Sequence, residues 1–466
     1  MPHRLSLHPD RLFSANPTTK AIARELHASV ANLPIISPHG HTDPEWWATD
    51  APFGNAAELL LHPDHYVFRM LYSQGVPLEA LGIGNAKADP REAWRLFAER
   101  YHLFRGTPSR MWLDWVFSKT FGFEVVLDAD TSDVYFDTIT QALATDAFRP
   151  RALFERYNIE VIATTESPLD DLRHHQAIRA SDWGGRVITA YRPDPVIDPE
   201  FEGFRDNLKS LSELTGEDCF QWAGYLAAHR KRRVFFKDMG ATSTDHGHPT
   251  ARTADLSPAD AKALFTRVTS GPASPQDAEL FRAQMLIEMA GMSVDDGLVM
   301  QLHPGVYRNH NSEVFKRFGR DKGADIPLPC EYVDALRPLL EKYGNNTEFS
   351  LIVFTLDETT YARELAPLAG HYPAMKLGPA WWFNDSPEGM RRFREMTTET
   401  AGFYNTVGFN DDTRAFLSIP ARHDVARRMD CGFLAKLVAE RRLGEEEAAE
   451  LAADLAYNLA KKAYNL

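Results

Sequence analysis

The sequence has few cysteines, and their positions fit neither a disulfide framework nor a structural zinc site. The 466 residues include only Cys219, Cys330 and Cys431, which lie far apart and form no CxxC motif. Disulfide-rich secreted domains and zinc knots both need closely spaced cysteines, so the sequence excludes these two classes. An odd number of isolated cysteines indicates a reducing compartment, and we expect a cytoplasmic protein.

Long apolar runs and an excess of basic residues are also missing. We find no run of about 18 apolar residues and no apolar segment near the N-terminus, so we expect neither a transmembrane helix nor a secretory signal. The net charge of −14 argues against a general nucleic-acid binder, because phosphate backbones select for basic surfaces. The sequence therefore predicts partners that are neither membranes nor nucleic acids.

What the chain does contain is an alternation of short apolar runs with helical patterns. The predicted strands cover residues 33–37, 160–164, 186–191, 233–236, 297–302, 349–355, 374–377 and 405–409. Continuous apolar strands that alternate with helices indicate a parallel sheet. Eight such units favour an α/β fold of the (β/α)8 barrel type over an open doubly wound sheet. No GxGxxG motif follows the first strand, which weakens the dinucleotide-binding alternative.

One long block interrupts this alternation of predicted strands and helices. Residues 42–157 have helical periodicity, almost no strand signal and many aromatic residues, so we interpret them as a helical insertion after the first strand. The predicted organisation is a lead-in with the first barrel strand (1–41), the insertion (42–157), and the remainder of the barrel with two C-terminal helices (158–466). The lead-in is predicted to hold one helix, at about 18–31.

Two histidines follow the first strand, where barrels of this type gather their chemistry. His39 and His41 are separated by one glycine, so in an extended backbone both imidazoles point to the same side. Such a pair can bind a divalent metal. Strand eight closes the barrel against strand one, so Asp411 or Asp412 could complete the site. An Asp-Asp-Thr run is also typical of a helix N-cap, and the local sequence does not separate the two interpretations.

Two further titratable residues follow other predicted strands. His303 could be a third metal ligand, a general acid or base, or a core histidine bonded to the backbone. Lys237, after the predicted fourth strand, could bridge two metals once carboxylated. The predicted sixth strand offers no histidine for a two-metal site, so we favour a single metal and a salt bridge for Lys237.

Arginine and tryptophan side chains could recognise a substrate. Arg192 and Arg414 lie at predicted strand ends, and Arg69 lies in the insertion. Guanidinium groups pair with carboxylates through two parallel hydrogen bonds, so several of them around one pocket would indicate an anionic substrate. Buried structural ion pairs are the alternative. Trp381 and Trp382 are either core aromatics or a surface for a sugar ring.

At this stage the sequence resembles the uronate isomerase (glucuronate isomerase) family of the amidohydrolase superfamily. The resemblance lies in seven segments that occur in a consistent order over about residues 33–430. The segments are Pro38-His39-Gly40-His41-Thr42-Asp43-Pro44, Asp64-His65-Tyr66 with Arg69, Tyr191-Arg192-Pro193-Asp194, Thr244-Asp245-His246-Gly247, Gln301-Leu302-His303 with Arg308-Asn309, Trp381-Trp382-Phe383-Asn384-Asp385, and Asp412-Thr413-Arg414-Ala415-Phe416-Leu417-Ser418 with Arg422-His423.

The resemblance implies a distorted (β/α)8 barrel with a helical insertion and a role in carbohydrate metabolism. It implies isomerisation of D-glucuronate to D-fructuronate and of D-galacturonate to D-tagaturonate. It implies one divalent ion, zinc with manganese or iron as alternatives, and a homo-oligomer. The implied metal ligands are His39, His41 and Asp412; the implied catalytic residues are Asp412, Arg414, Tyr66 and His65; and the implied substrate-binding residues are Arg192, His303, Trp381 and Arg69.

Two other functions compete with isomerisation. The first is a metal-dependent hydrolase of the same superfamily, which would cleave an amide or ester with metal-bound water. The second is a non-catalytic protein that binds sugar acids on the same barrel. Ketose formation from a sugar acid would separate the isomerase from both. Which residue would take the C2 proton stays open at this stage, with Tyr66 and His65 as the candidates.

Overall fold

The computed structural model describes residues 3–84 and 86–466, and its central element is a curled parallel sheet. Within those residues the sheet has seven strands in the order β1-β2-β3-β4-β5-β8-β9. The strands are β1 (Ile35–Ser37), β2 (Ile159–Glu166), β3 (Arg186–Tyr191), β4 (Ser243–His246), β5 (Val299–Leu302), β8 (Leu351–Val353) and β9 (Met375–Leu377). A separate antiparallel pair, β6 (Val306–Tyr307) and β7 (Ile326–Pro327), lies outside this sheet.

Helices surround the sheet and fill the long connection between β1 and β2. The lead-in and this connection contain α1 (Pro17–Val30), α2 (Glu45–Thr49), α3 (Ala56–Leu60), α4 (His65–Ser73), α5 (Pro90–Glu99), α6 (Pro108–Trp115), α7 (Ser132–Leu143) and α8 (Pro150–Arg156). The barrel contains α9 (Arg173–Ala180), α10 (Asp194–Ile197), α11 (Phe204–Thr215), α12 (Trp222–Asp238), α13 (Pro258–Ser270), α14 (Pro275–Asp296), α15 (Ser312–Phe318), α16 (Val333–Tyr343), α17 (Ala366–Ala369) and α18 (Pro387–Ala401). The C-terminal part contains α19 (Ile419–Ala439), α20 (Glu445–Ala453) and α21 (Leu459–Ala463).

An irregular segment, 405–413, closes the barrel in place of the predicted eighth strand. Its first residues bond to β9, since the backbone N–H of Leu377 donates to Asn405 at 2.8 Å and that of Val407 donates to Leu377 at 3.2 Å. Its last residues reach the end of β1, where the N–H of His41 donates to Thr413 at 3.1 Å. The prediction of a regular strand over 405–409 was wrong, because Gly408 takes a φ of 78° and breaks the extended backbone. The fold is nevertheless the predicted distorted (β/α)8 barrel.

The predicted fourth strand, 233–236, was also wrong. These residues belong to α12, and the strand in that position is β4, Ser243–His246. A short apolar run does not distinguish a strand from a helix, and here Phe236 faces the core while Val234 is 57% exposed. Lys237 therefore lies outside the barrel mouth: it is exposed, and its Nζ donates to the backbone carbonyl of Asp296.

The helical connection between β1 and β2 has an aromatic core. That core includes the buried Trp47, Trp94 and Phe97, and it continues onto Ile159 of β2 and onto Phe416. The connection therefore packs directly against the barrel, and its definition as a separate domain, 42–157, stays a prediction. Among the described residues, no helix combines the length and apolar character needed to cross a lipid bilayer.

Candidate active site

A cavity of about 1100 Å³ opens at the carboxyl ends of the barrel strands. Nine of the ten site residues expected from the sequence lie in its wall: His39, His41, His65, Tyr66, Arg192, His303, Trp381, Asp412 and Arg414. Arg69 is the exception. Its guanidinium lies over the rings of Phe383 and Tyr66, at 4.9 Å and 5.7 Å from their centroids.

The two histidines that follow β1 converge on one carboxylate oxygen. Oδ1 of Asp412 lies 3.2 Å from Nε2 of His41 and 3.5 Å from Nε2 of His39. Ligand atoms that share an ion at bond lengths of about 2 Å are separated by such distances. Burial lowers the pKa of His41 to about 4, so its imidazole is neutral at pH 7 and can act as a metal ligand. The closing of the barrel thus brings together residues from both ends of the chain.

His303 belongs to the same group of donors. Single donor atoms of His39, His303 and Asp412 all lie within 4.8 Å of one another. The rings of His39 and His303 stack with their centroids 4.8 Å apart. Nε2 of His303 is buried and forms no hydrogen bond with a described residue. This free nitrogen fits a divalent cation, since a buried polar atom otherwise needs a partner.

A buried aspartate after β4 holds two of the expected site residues. Asp245 lies 2.7 Å from Nδ1 of His303 and 3.1 Å from Nη1 of Arg192. With Nδ1 protonated, His303 presents Nε2 to the donor group described above. Nε of Arg192 also donates to Asp194 at 2.9 Å, so this arginine contacts two carboxylates of the chain itself. Asp245 is not among the site residues expected from the sequence, because the predicted fourth strand lies ten residues before β4.

Tyr66 is positioned by contacts from three parts of the chain. Its backbone N–H is capped by the carboxylate of Asp64 at the start of α4, and its phenol donates to Oδ1 of Asp385 at 3.1 Å. Nη1 of Arg422 donates to Oδ2 of the same Asp385 at 2.7 Å. The Arg422 guanidinium lies 3.6 Å from the ring centroid of Trp112 on α6. This network connects the helical insertion, the loop after β9 and α19.

The electrostatics of this network oppose ionisation of the phenol. Burial, with Asp385 beside it, raises the pKa of Tyr66 well above its usual value. Burial also raises the pKa of Asp385 to about 6, although Arg422 and Tyr66 act in the opposite direction. His65 stacks on Tyr66 with ring centroids 5.2 Å apart, and burial lowers its pKa to about 3. The phenol and the imidazole are therefore both neutral at pH 7.

Comparison with known proteins assigns this arrangement to a family. A sequence profile of the glucuronate isomerase family matches residues 13–464. The chain belongs to the glucuronate isomerase family. The uronate isomerase of Sphingopyxis alaskensis is 74% identical over 470 aligned residues that cover 100% of both chains. The uronate isomerase of Phenylobacterium zucineum is 70% identical, covering 100% of this chain and 98% of its own.

A solved structure of the family has the same fold. The crystal structure of glucuronate isomerase from Caulobacter crescentus superposes with a TM-score of 0.98 at 65% identity, covering 99% of this chain and 98% of that one. The chain therefore has the same barrel as this solved member of the family over nearly all of its aligned length. Membership of the glucuronate isomerase family favours aldose–ketose isomerisation over the hydrolase interpretation.

The two remaining expected site residues of this family member, Trp381 and Arg414, each contact a carboxylate of the same chain. Nε1 of Trp381 donates to Oδ2 of Asp412 at 2.5 Å, which helps to orient this carboxylate. Nη2 of Arg414 pairs with Oδ2 of Asp321 at 3.0 Å. The Arg414 and Asp321 side chains are 37% and 50% exposed. This pair is therefore more accessible than the pairs of Arg192, whose two carboxylates are buried.

Proposed function

We propose that this chain converts D-glucuronate to D-fructuronate and D-galacturonate to D-tagaturonate. One observation carries the proposal: a chain 74% identical over its whole length to a uronate isomerase gathers histidine, aspartate, tyrosine and arginine side chains around one cavity. An aldose becomes its 2-ketose when the C2 proton is removed and a proton is delivered to C1 through an enediol. Such a reaction needs a proton carrier beside the C1–C2 bond and positive charge near the two oxygens.

Specific roles for the cavity side chains follow from this chemistry. Tyr66 and His65 are our candidates for moving the proton, because both are neutral and face the cavity. The guanidinium of Arg414 is the most accessible of the site's paired cations, and it can stabilise negative charge on the substrate. We assign catalysis to Asp412, Arg414, Tyr66 and His65, and substrate binding to Arg192, His303, Trp381 and Arg69.

We also propose that His39, His41 and Asp412 bind one divalent ion. Zinc is our first choice for two imidazoles and a carboxylate, and manganese or iron would also suit them. When bound, such an ion supplies Lewis acidity toward a substrate oxygen. The protein holds the ligands in place from outside, through the Trp381 contact with Asp412 described above.

The test is to incubate the purified protein with each uronate and follow the products by NMR. We expect the 2-keto product and, in D2O, deuterium at the position that exchanges with solvent. A parallel panel of lactones and esters tests the hydrolase alternative: hydrolysis without ketose formation would overturn the proposal. Binding of uronates without any turnover would instead support a sugar-acid binding protein.

Two proposals about the state of the protein accompany this function. We propose that the enzyme acts in the cytoplasm as a homo-oligomer. Sedimentation velocity of the pure protein tests the assembly, since a single species of 52.6 kDa would contradict it. Cell fractionation tests the compartment.

A further inference from the structure

The carboxylate of Asp385 lies directly behind the phenol that is our candidate proton carrier. It follows β9 in the segment that leads to α18, and its side chain is 8% exposed. Its Oδ1 accepts the Tyr66 hydroxyl at 3.1 Å, and its Oδ2 accepts Nη1 of Arg422 at 2.7 Å. Asp385 therefore bonds to the hydroxyl of the phenol and to a guanidinium at the same time, and it is not among the residues that line the cavity.

Arg422 restrains the orientation of the Asp385 carboxylate. The Arg422 side chain is only 1% exposed, its Nε donates to Ser418 at 3.0 Å, and its guanidinium stacks on the indole of Trp112. A guanidinium held on both its edge and its face leaves little rotational freedom to the carboxylate it binds. The direction from Asp385 to the Tyr66 hydroxyl is thus set by the fold before substrate arrives.

A neutral phenol in this position needs an acceptor for its own proton, and Asp385 can be that acceptor. Burial opposes ionisation of the phenol, so Tyr66 is not a phenolate before the substrate binds. A neutral phenol can accept a carbon-bound proton only if it releases its own proton at the same time. The hydrogen-bonded carboxylate of Asp385 is the acceptor available for that proton.

We propose that Asp385 is the proton acceptor of a Tyr66–Asp385 relay, an inference that rests on the proposed isomerase function. In the first step the C2–H bond breaks, its electron pair forms the C1–C2 double bond, and the C1–O1 π pair moves onto O1, which gives the enediolate. The proton from C2 goes to Oη of Tyr66, while the hydroxyl proton of Tyr66 goes to Oδ1 of Asp385. The hydroxyl proton of O2 then passes to O1. In the second step the O2 electron pair forms the C2–O2 carbonyl, the C1–C2 π pair takes a proton from Oη of Tyr66 to form the new C1–H bond, and Asp385 returns its proton to the phenol. The two steps restore both side chains.

Several charged groups face Asp385 and set its behaviour with pH. They are Tyr66 and Arg69 of α4, Arg422 of α19, and Asp412 in the segment that closes the barrel. Asp385 must be ionised to accept the phenolic proton, so the relay predicts that kcat rises with pH as this carboxyl loses its proton. The pKa of about 6 places this rise on the acid side of neutrality.

The Asp385→Asn variant keeps one amide oxygen that can accept from Tyr66, loses the second oxygen that accepts from Arg422, and accepts no proton. We expect kcat to fall about 10²- to 10⁴-fold, with KM changed far less and the acid limb of the pH profile lost. Adding Tyr66→Phe should lower kcat no further, because both changes interrupt the same relay. Independent, multiplying losses would overturn the inference, and so would an Asp385→Asn enzyme with wild-type kcat.

A matched control separates the relay from loss of a buried ion pair. The carboxylate of Asp430 accepts hydrogen bonds from Nε of Arg394 at 2.7 Å and from Nη2 of Arg394 at 3.1 Å. Asp430 lies on α19, the helix that carries Arg422. Asp430→Asn should reduce stability in the same way while kcat stays close to that of the wild type. A similar loss of kcat in both variants would show that Asp385 acts only through the fold.

Isotope effects test the relay in the wild-type enzyme, whether or not the variants fold. Transfer from Tyr66 to Asp385 moves an exchangeable proton in the same step that breaks C2–H. We therefore expect a solvent isotope effect in D2O that is not reduced when D-glucuronate carries deuterium at C2. A solvent effect that disappears with this substrate would overturn the relay. Absence of ketose from the wild type would instead overturn the isomerase function itself.

Discussion

The carboxyl of Glu166 offers the most quantitative test of the structure. Glu166 ends β2 in the cavity wall and accepts a hydrogen bond from the hydroxyl of Thr189. Its side chain is 10% exposed. Burial raises its pKa from about 4.5 to about 8, although the hydroxyls of Thr164 and Thr189 act in the opposite direction. The folded protein therefore holds a proton on Glu166 at pH 7, which the unfolded chain has lost.

This difference makes stability depend on pH in a predictable direction. Between about pH 4.5 and pH 8 folding takes up one proton at Glu166, so the free energy of unfolding falls as pH rises. Each unit of pKa shift corresponds to about 1.4 kcal/mol, so the contribution lost by this group is about 3 kcal/mol at pH 7 and about 5 kcal/mol at pH 9. The contribution is fully present only below the pKa of the unfolded chain.

Glu166→Gln removes the titration and keeps an oxygen that accepts from Thr189. We expect the variant and the wild type to have similar stability at pH 4.5, and the variant to be more stable by about 3 kcal/mol at pH 7. Urea unfolding between pH 4.5 and pH 9, followed by tryptophan fluorescence, measures this difference. Two stability curves that run parallel over this range would refute the assignment of a neutral, buried Glu166.

A second glutamate on the same strand provides the control. Glu160 is 31% exposed and paired with Lys461 at 2.6 Å, and its pKa is lowered, because the Lys461 and Tyr457 contacts outweigh the effect of its burial. A lowered pKa contributes stability above about pH 4.5, which is lost only as the pH falls through the folded-state value. Glu160→Gln should therefore shift stability by a constant amount over this range, without the slope expected for Glu166.

Three further predictions concern the metal group and its supports. Asp245→Asn leaves Arg192 without one of its two buried carboxylates and His303 without its anionic partner, so we expect the free energy of unfolding to fall by about 3–5 kcal/mol, measured by urea denaturation. Trp381→Phe removes the hydrogen bond to Asp412, so we expect metal affinity to fall about 10- to 100-fold in a chelator competition. Removing a bound metal with a chelator should lower the thermal midpoint, and adding the ion back should restore it in a concentration-dependent way.

Each of these three predictions has an outcome that would contradict it. Asp325→Asn is the control for Asp245, since Asp325 pairs with one partly exposed arginine, Arg308, and accepts from the backbone N–H of Asn309. An equal loss in both variants would contradict the dominant role of Asp245. Unchanged metal affinity in Trp381→Phe would mean that this indole does not support the ligand. A thermal unfolding midpoint that changes neither with chelator nor with added metal would contradict the metal site.

The parts of the site that could be predicted lie next to recognisable strand ends. His39 and His41 directly follow an apolar strand, and the rule that barrel chemistry gathers at carboxyl ends placed them correctly. Asp411 or Asp412 could be paired with them because an eight-unit barrel must bring its last unit to its first, and the family resemblance singled out Asp412. Apart from that choice, both inferences use only the order of elements along the chain.

The parts that could not be predicted depend on polar strands and on distant contacts. Strand β4 reads Ser243-Thr244-Asp245-His246, and all four residues are buried although none is apolar. A search for apolar runs therefore selected residues of α12 instead. The contact between Tyr66 and Asp385 joins residues 319 positions apart in the chain. Local periodicity carries no signal for such a pair, so only the packed structure shows that it exists.

The ion pair between Arg414 and Asp321 has a consequence for how charged ligands associate. The chain itself supplies an anion at this guanidinium, so an anionic substrate group that binds Arg414 exchanges with a carboxylate instead of meeting a bare cation. The net charge around Arg414 then changes little during binding. The association rate should accordingly vary only weakly with ionic strength, unlike that of enzymes that attract anions by an uncompensated positive field.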